Sequence, residues 1–367
     1  MRICYLANAS SIHTCKWVRY FVEKGHEVHV VSFEKGRIEG TSVHILKLPV
    51  LVKSATFPLK LASIPRINAL IRSIKPDVLH AHYVTNYGLF GALCNYKPFV
   101  LTALGSDILS VQTESSMIRW IKKLIKTYVV QKADVVTADA QSLMKEIMRL
   151  GAPLVKVKVI SHGVSLKEFN PNKKSSLFRK TLKIPPASKV VISTRNLEKV
   201  YDVETLIKAI PSVIKAKSNV HFLVVGEGTQ KGYLRKIADG LNVQKHVTFV
   251  GKIPNEEVSE FLANSDIYVS TSLSDSTSVS LLEAMAAQLP AVVTDIEGNR
   301  EWIKDGENGF VVPKSNPAVL AEKIVVLLGD EKTAREFGVC NRKIVEEEAN
   351  YDKEMAEVEK IYEQITA

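Results

Sequence analysis

The sequence predicts an α/β protein of two domains, each a parallel sheet with helices on both faces, and three observations carry that reading. Short β-branched runs alternate with helical stretches from the first residues onward. The alternation halts once, at a polar and turn-rich stretch, and then restarts. The 367 residues also exceed what one hydrophobic core usually organises.

In the first half the expected strands are Ile3 to Ala7, Glu27 to Phe33, Val43 to Leu48, Val78 to His82, Phe99 to Leu104, Val135 to Ala138 and Val157 to Ser161. Their near-continuous apolar character suits strands covered on both faces. His162-Gly163-Val164 ends the last of them, and Phe169-Asn170-Pro171-Asn172-Lys173-Lys174 is the expected linker. The second half repeats the pattern with Lys189 to Thr194, His221 to Val225, Val247 to Val250, Asp266 to Thr271, Ala291 to Thr294 and Gly309 to Val312. Asn350 to Ala367 reads as a closing helix with Glu and Lys on its exposed faces. Two such domains imply a cleft, with ligands at the carboxyl ends of the strands.

Composition narrows the class further. Cys4, Cys15, Cys94 and Cys340 show no metal-ligand or redox spacing, which fits free thiols in a reducing compartment. The N-terminus runs directly into a strand, and no stretch approaches the ~20 apolar residues that cross a bilayer. The expected location is therefore cytoplasmic, free or on the membrane surface. Net charge is +10 and sits in the first half: residues 1–168 hold 23 Lys+Arg against 11 Asp+Glu, net +12, and the remainder 26 against 28, net −2. Arg119, Lys122, Lys123 and Lys126 share one face of an expected helix, and Met117, Trp120, Ile121, Leu124 and Tyr128 turn the other way. Such a helix either lies on an anionic membrane surface or packs its apolar side on its own sheet. Nucleic acid is not expected, since no aromatics interleave with a recognised basic motif.

The chemistry concentrates in the second half. Asp275-Ser276-Thr277-Ser278-Val279-Ser280-Leu281-Leu282-Glu283 places two carboxylates eight residues apart across a strand-to-helix junction. Small hydroxylated residues before an apolar helix suit an anion at the helix N-terminus, with Asp275 in the loop and Glu283 about two turns along. An ordinary capped helix with two polar residues has the same local sequence.

Several blocks together resemble the retaining GT-B glycosyltransferases of family 4, over nearly the full chain. They are Lys24-Gly25-His26-Glu27-Val28, Asp77-Val78-Leu79-His80-Ala81-His82, Gly105-Ser106-Asp107 and Val159-Ile160-Ser161-His162-Gly163-Val164 in the first half. In the second they are Val224-Val225-Gly226-Glu227-Gly228, His246 to Pro254, Ala263 to Val269, and the carboxylate run itself, which resembles the family's E-x7-E signature. The resemblance implies two Rossmann-like domains facing across a deep cleft: residues 1–168 plus 350–367 for the acceptor, residues 169–349 for the nucleotide-sugar, and the last helix returning to the N-terminal domain.

It also implies roles. Arg195 and Lys199 resemble the basic pair that grips the diphosphate, where developing charge needs cations and N–H donors. Val279, Ser280 and Leu281 would add helix-start N–H groups, with Ser276, Thr277 and Ser278 leading into them. Glu283 would accept the ribose hydroxyls, and Asp275 a hydroxyl of the donor sugar. Gly226, Gly228, Gly251, Lys252 and Ile253 resemble the turn and the base-pocket segment. In the first domain Ser11, His13, His82, Gly105 and Asp107 fall in donor- or acceptor-facing loops. Three departures stand out. Asp275 replaces the usual Glu, the spacing from Arg195 to Lys199 is one residue short, and Leu104 replaces a histidine that contacts the donor sugar in many relatives. His162 is the first choice to take over for that histidine, ahead of His13 and His82.

The implied reaction is a metal-independent hexosyl transfer with retention, through same-face displacement, and no cofactor is expected. The donor is a nucleotide-sugar, with UDP favoured over GDP-mannose. The acceptor is a saccharide or lipid-linked saccharide, met by the apolar and basic segment Leu48 to Leu61. A sugar-nucleotide epimerase of the same architecture, or a noncatalytic nucleotide-sugar-binding protein, are the alternatives. An NAD-dependent oxidoreductase is disfavoured, because no G-x-G-x-x-G follows Leu6 and Gly226-Glu227-Gly228 lacks the third glycine.

Overall fold

A computed structural model describes residues 1–46, 61–105, 107–108, 116–175 and 177–367. Ser106 and residues 48–60 of the expected acceptor segment lie outside the described residues. Among the described residues each expected strand forms, with ends shifted by a few residues at most; Lys47 and Leu48, the end of the strand expected over Val43 to Leu48, lie outside them. In the first half they are β1 (Arg2–Leu6), β2 (Glu27–Ser32), β3 (Ser42–Ile45), β4 (Val78–His82), β5 (Phe99–Ala103), β6 (Val135–Ala138) and β7 (Val157–Val159). They make one parallel sheet in the order β3-β2-β1-β4-β5-β6-β7. In the second half β8 (Lys189–Ser193), β9 (Val220–Val225), β10 (Val247–Gly251), β11 (Ile267–Ser270), β12 (Ala291–Thr294) and β13 (Gly309–Val312) form a second parallel sheet, ordered β10-β9-β8-β11-β12-β13. Both are doubly wound, Rossmann-like sheets. The chain divides into one compact unit of Met1–His162 with Lys353–Ala367 and a second of Gly163–Asp352.

Strand periodicity explains the cores. In the second unit Val190, Ile192, Leu223, Val225, Tyr268 and Val293 belong to one buried cluster, and Val191, Phe222, Val224, Ile267, Val269 and Val292 to another. Alternate residues thus feed opposite faces, which is why these strands read as unbroken apolar runs. Each order also reverses at one place, between β1 and β4 and between β8 and β11. The connections leave in opposite directions there, opening a crevice at the carboxyl ends of the strands.

The last helix, Tyr351–Thr366, packs in the first unit. Met355, Val358, Ile361 and Tyr362 recur at helical spacing and are buried. The Tyr362 hydroxyl lies 3.0 Å from that of Tyr5 and also bonds His80 Nδ1, and its ring stacks on Phe21. Glu359 pairs with His26 at 2.8 Å, and Glu354 accepts from the Ser161 N–H at 2.8 Å.

Of the two readings of the helix Ser116–Lys132, packing of its whole apolar side on the sheet is not what the structure shows: residues 116–124 are exposed on every face, and the buried residues Lys126, Val129 and Val130 lie in its second half. The Lys126 ammonium donates to the Ile108 carbonyl at 2.8 Å, so one cation of the basic face turns inward. Among the described residues no helix is long and apolar enough to cross a membrane.

Burial raises the Glu354 carboxyl to about 7 against the Ser161 hydrogen bond, with Glu357 adding to the rise. The folded state therefore holds this proton more tightly than the unfolded chain, and stability falls as pH rises from about 4.5 to about 7. Glu354→Gln should remove that slope. Denaturant unfolding of both proteins across the range should show the variant gaining on the wild type with pH, and parallel curves would contradict this.

Candidate active site

The crevice of the second sheet is organised by Arg195, two residues beyond β8. Its side chain is only 8% exposed, so its charge needs partners. One terminal nitrogen donates to Ser278 Oγ at 2.7 Å and Ser280 Oγ at 2.9 Å, and the other to Asp275 Oδ2 at 2.6 Å. The Tyr201 ring covers the guanidinium at 4.2 Å. Burial opposes the charge, but Asp275, with Tyr268 and Tyr201, outweighs it and moves the arginine's pKa up. Its Nε is buried and has no hydrogen-bond partner among the described residues.

The helix Val279–Ala286 begins at this point. Ser278 is its N-cap and accepts from the Leu281 N–H. That N–H is also within 2.9 Å of the Ser278 carbonyl, so Leu281 is less free to meet an anion than the sequence suggested. Val279 and Ser280 head the helix, where N–H groups lack intrahelical acceptors. Glu283 is buried little more than one turn along, not two, because the helix starts as late as Val279. Ser280 also lies 2.8 Å from the Tyr268 hydroxyl, and the Glu283 charge acts on that phenol, whose pKa burial raises. Tyr268 was not anticipated. The signal was present: a tyrosine in a fully buried strand needs a partner for its hydroxyl.

Glycines bring the surrounding backbone close. A Cβ on Gly226, whose φ is 142°, would meet the Arg195 carbonyl oxygen at 2.6 Å, and one on Gly228 the Leu197 oxygen at 2.3 Å. The Gly226 to Gly228 turn thus presses on the segment that carries Arg195. Gly251 ends β10 and accepts from the Gly226 N–H at 2.9 Å, Lys252 is exposed, and Ile253 packs against the core. Gly298, which sequence reasoning missed, lies against the carbonyls of Asp275 and Ser276. Ser276 and Thr277 are buried, and the Ser276 N–H closes on Asp275 Oδ1 at 3.1 Å. Lys199 is not in this network: it is exposed on a short turn and lines a pocket of about 360 Å³ with Glu198, Asp202 and Glu204.

In the first unit three histidines gather at the carboxyl edge. His13, in the first turn after Ser11, stacks on His162 with centroids 4.5 Å apart. His162 Nε2 lies 3.3 Å from Asp139 Oδ2, both side chains being buried. His82 ends β4, approaches Thr14 Oγ1 at 3.4 Å, and has no hydrogen-bond partner on Nε2 among the described residues. Burial, then the neighbouring His162, lowers both His13 and His82 to about 3, so they are neutral at physiological pH. Asp139 was not anticipated either, although it ends a strand, where ligands gather. Gly105, at φ 83°, makes the turn that lets both Asp107 oxygens accept backbone N–H groups, from Val84 at 2.6 Å and Leu104 at 3.1 Å. Burial raises the Asp107 carboxyl against those bonds. Leu104 offers this loop only its backbone donor.

A doubly wound sheet with a buried arginine and a hydroxyl-lined helix start at its switch point has the architecture found in nucleotide-handling α/β proteins. Known proteins make the class specific. Residues 174–343 match the family model of "Glycosyl transferases group 1", and residues 2–140 that of "Glycosyl transferase 4-like". N-acetyl-alpha-D-glucosaminyl L-malate synthase of Bacillus anthracis is 26% identical over 354 residues, covering 94% of this chain and 91% of the relative. Sucrose-phosphate synthase from Thermosynechococcus elongatus superposes with TM-score 0.85 at 18% identity, over 99% of this chain and 98% of that one. Anabaena HepE in complex with UDP does so at 0.83 and 17%, over 99% and 100%. The chain is a glycosyltransferase of GT-B fold, its two halves matching glycosyltransferase family models.

The Gly298 contact yields a paired prediction. A Cβ there would lie 2.0 Å from the Ser276 oxygen, so Gly298→Ala should push the Asp275–Ser276 loop away and cost about 1–3 kcal/mol. Gly232, in the helix Lys231–Gly240, has nothing within 4 Å, and Gly232→Ala should be neutral or stabilising by up to about 1 kcal/mol. Thermal melts of the two variants check both signs.

Proposed function

We propose that this glycosyltransferase moves a hexosyl unit, with retention, from a UDP-sugar to a saccharide or lipid-linked saccharide, without a metal and at the cytoplasmic face of a membrane. The observation that carries the reading is the buried Arg195 cluster at the head of Val279–Ala286. A nucleoside diphosphate gains charge as its bond to the sugar breaks, and a preorganised cation beside helix N–H groups lowers that barrier. Arg195 takes the place a metal would fill. Glu283 accepts the ribose diol and Asp275 a sugar hydroxyl. UDP is favoured because HepE was solved with UDP and with UDP-glucose.

In the proposed displacement the acceptor hydroxyl attacks the anomeric carbon from the face on which the diphosphate leaves. The departing phosphate oxygen takes the acceptor's proton, so no protein nucleophile is needed. His162, set by Asp139 and His13, positions hydroxyls where Leu104 offers no side-chain donor.

Thermal melts against UDP, GDP, ADP and NAD test the donor reading. UDP at about 100 times its dissociation constant should add about 2.7 kcal/mol, and stabilisation by NAD alone would sink it. Glu283→Ala should abolish the UDP effect, while Asp275→Ala should keep it and lose transfer. The anomeric configuration of the product, read by NMR, decides retention.

A further inference from the structure

Tyr268 brings to β11 a hydroxyl that packing does not require. Its side chain is fully buried in the core cluster that also holds Val190, Ile192 and Leu223. Phenylalanine would fill that space with no polar atom to satisfy, and a buried hydroxyl destabilises unless it is bonded. Its partners are the two serines that hold Arg195. The phenolic oxygen lies 2.8 Å from Ser280 Oγ, Ser280 Oγ lies 3.2 Å from Ser278 Oγ, and Ser278 also bonds the phenol. Burial raises the phenol's pKa against the Arg195 charge and the two serines, with Glu283 adding to the rise, so the hydroxyl keeps its proton at neutral pH.

The protons of the two serines decide what this hydroxyl does. Arg195 Nη1 donates to Ser278 Oγ at 2.7 Å and to Ser280 Oγ at 2.9 Å, which requires each serine to turn its own proton elsewhere. One serine can donate to the other, but the second then needs a further acceptor. Ser278 Oγ is also taken by the Leu281 N–H. The phenolic oxygen supplies that acceptor, and the three hydroxyls close a ring in which each donates once and accepts once. With phenylalanine at 268, a serine proton would compete with Arg195 for a serine oxygen.

We infer that Tyr268 is a positioning residue of the transfer site: its hydroxyl turns the Ser278 and Ser280 protons away from Arg195 and so fixes the guanidinium for a diphosphate. The inference rests on the reading of Arg195 as the cation that meets the donor's diphosphate. Tyr268 itself is sealed from any substrate and acts through the serines.

Calorimetric titration of the full chain with UDP, below the melting range of each variant, tests this. Tyr268→Phe should fold and bind UDP about threefold to tenfold more weakly, as the loss of one hydrogen bond implies. Uridine, which has no phosphate, should bind the wild type and this variant alike, a split that general loosening of the core would not produce. Ser280→Ala breaks the same link from its other end and should weaken UDP by a similar factor. In the double variant the two losses should not multiply, because the second change removes a partner already disabled. Equal UDP affinity in the wild type and Tyr268→Phe, equal losses for UDP and uridine, or multiplying losses in the double variant would each overturn the inference. A Tyr268→Phe chain that does not fold would assign the hydroxyl to stability and overturn it too. Failure of the donor reading shows separately, as a wild type that binds none of UDP, GDP and ADP, and it takes this inference with it.

Discussion

One buried guanidinium governs the carboxyl edge of the second sheet. Taking an arginine out of water costs several kcal/mol unless its charge is paired and its N–H groups are bonded, and Arg195 obtains both from a single stretch of chain. Asp275 balances the charge, and Ser278 and Ser280 accept from the other terminal nitrogen. Those acceptors are already committed elsewhere: Ser278 caps the following helix, and Ser280 bonds Tyr268. The loop that looks flexible in composition is thereby tied at each step. Gly226 and Gly228 press on one side of Arg195's own segment, and Gly298 presses on the Asp275–Ser276 backbone. A site so tied has little left to reorganise when an anion arrives, which is the condition for electrostatic stabilisation to act on a rate.

The first unit solves its burial problem differently. It places histidines at the same end of its sheet and keeps His13 and His82 neutral by burial. Neutral imidazoles donate and accept without carrying charge, which suits sugar hydroxyls better than phosphate. The C-terminal helix contributes to the same unit through Tyr362, whose hydroxyl joins Tyr5 and His80 beneath this edge. Residues at opposite ends of the chain therefore share one polar cluster inside the core.

The strands were legible because parallel strands covered on both faces need continuous β-branched runs, and stretches such as Val190-Val191-Ile192 or Ala291-Val292-Val293 have few other homes. The carboxylate run was legible because hydroxylated residues before an apolar helix are a local signal. What stayed hidden depends on tertiary pairing. Nothing local tells that Asp275 reaches Arg195 eighty residues earlier, that Asp139 meets His162, or that Gly298 is glycine because a carbonyl lies against it. The helix Ser116–Lys132 stayed ambiguous for a related reason: periodicity shows two faces but not which one turns inward, and Lys126 of the basic face found a carbonyl acceptor there.

The short side chain at Asp275 has a physical consequence. A glutamate at this position could reach Arg195 from a loop held farther out. An aspartate cannot, and here the loop is drawn in against Gly298, where any side chain would collide. Both carboxylate oxygens are then occupied, Oδ2 by Arg195 and Oδ1 by the Ser276 N–H. A sugar hydroxyl in the proposed donor complex must share one of these acceptors or displace its present donor. Sharing Oδ2 draws on the charge that balances Arg195, and a diphosphate arriving at Arg195 would return that charge. Sugar recognition and diphosphate binding would then be coupled through one carboxylate, each easing the other, and a longer side chain with a spare oxygen would loosen that coupling.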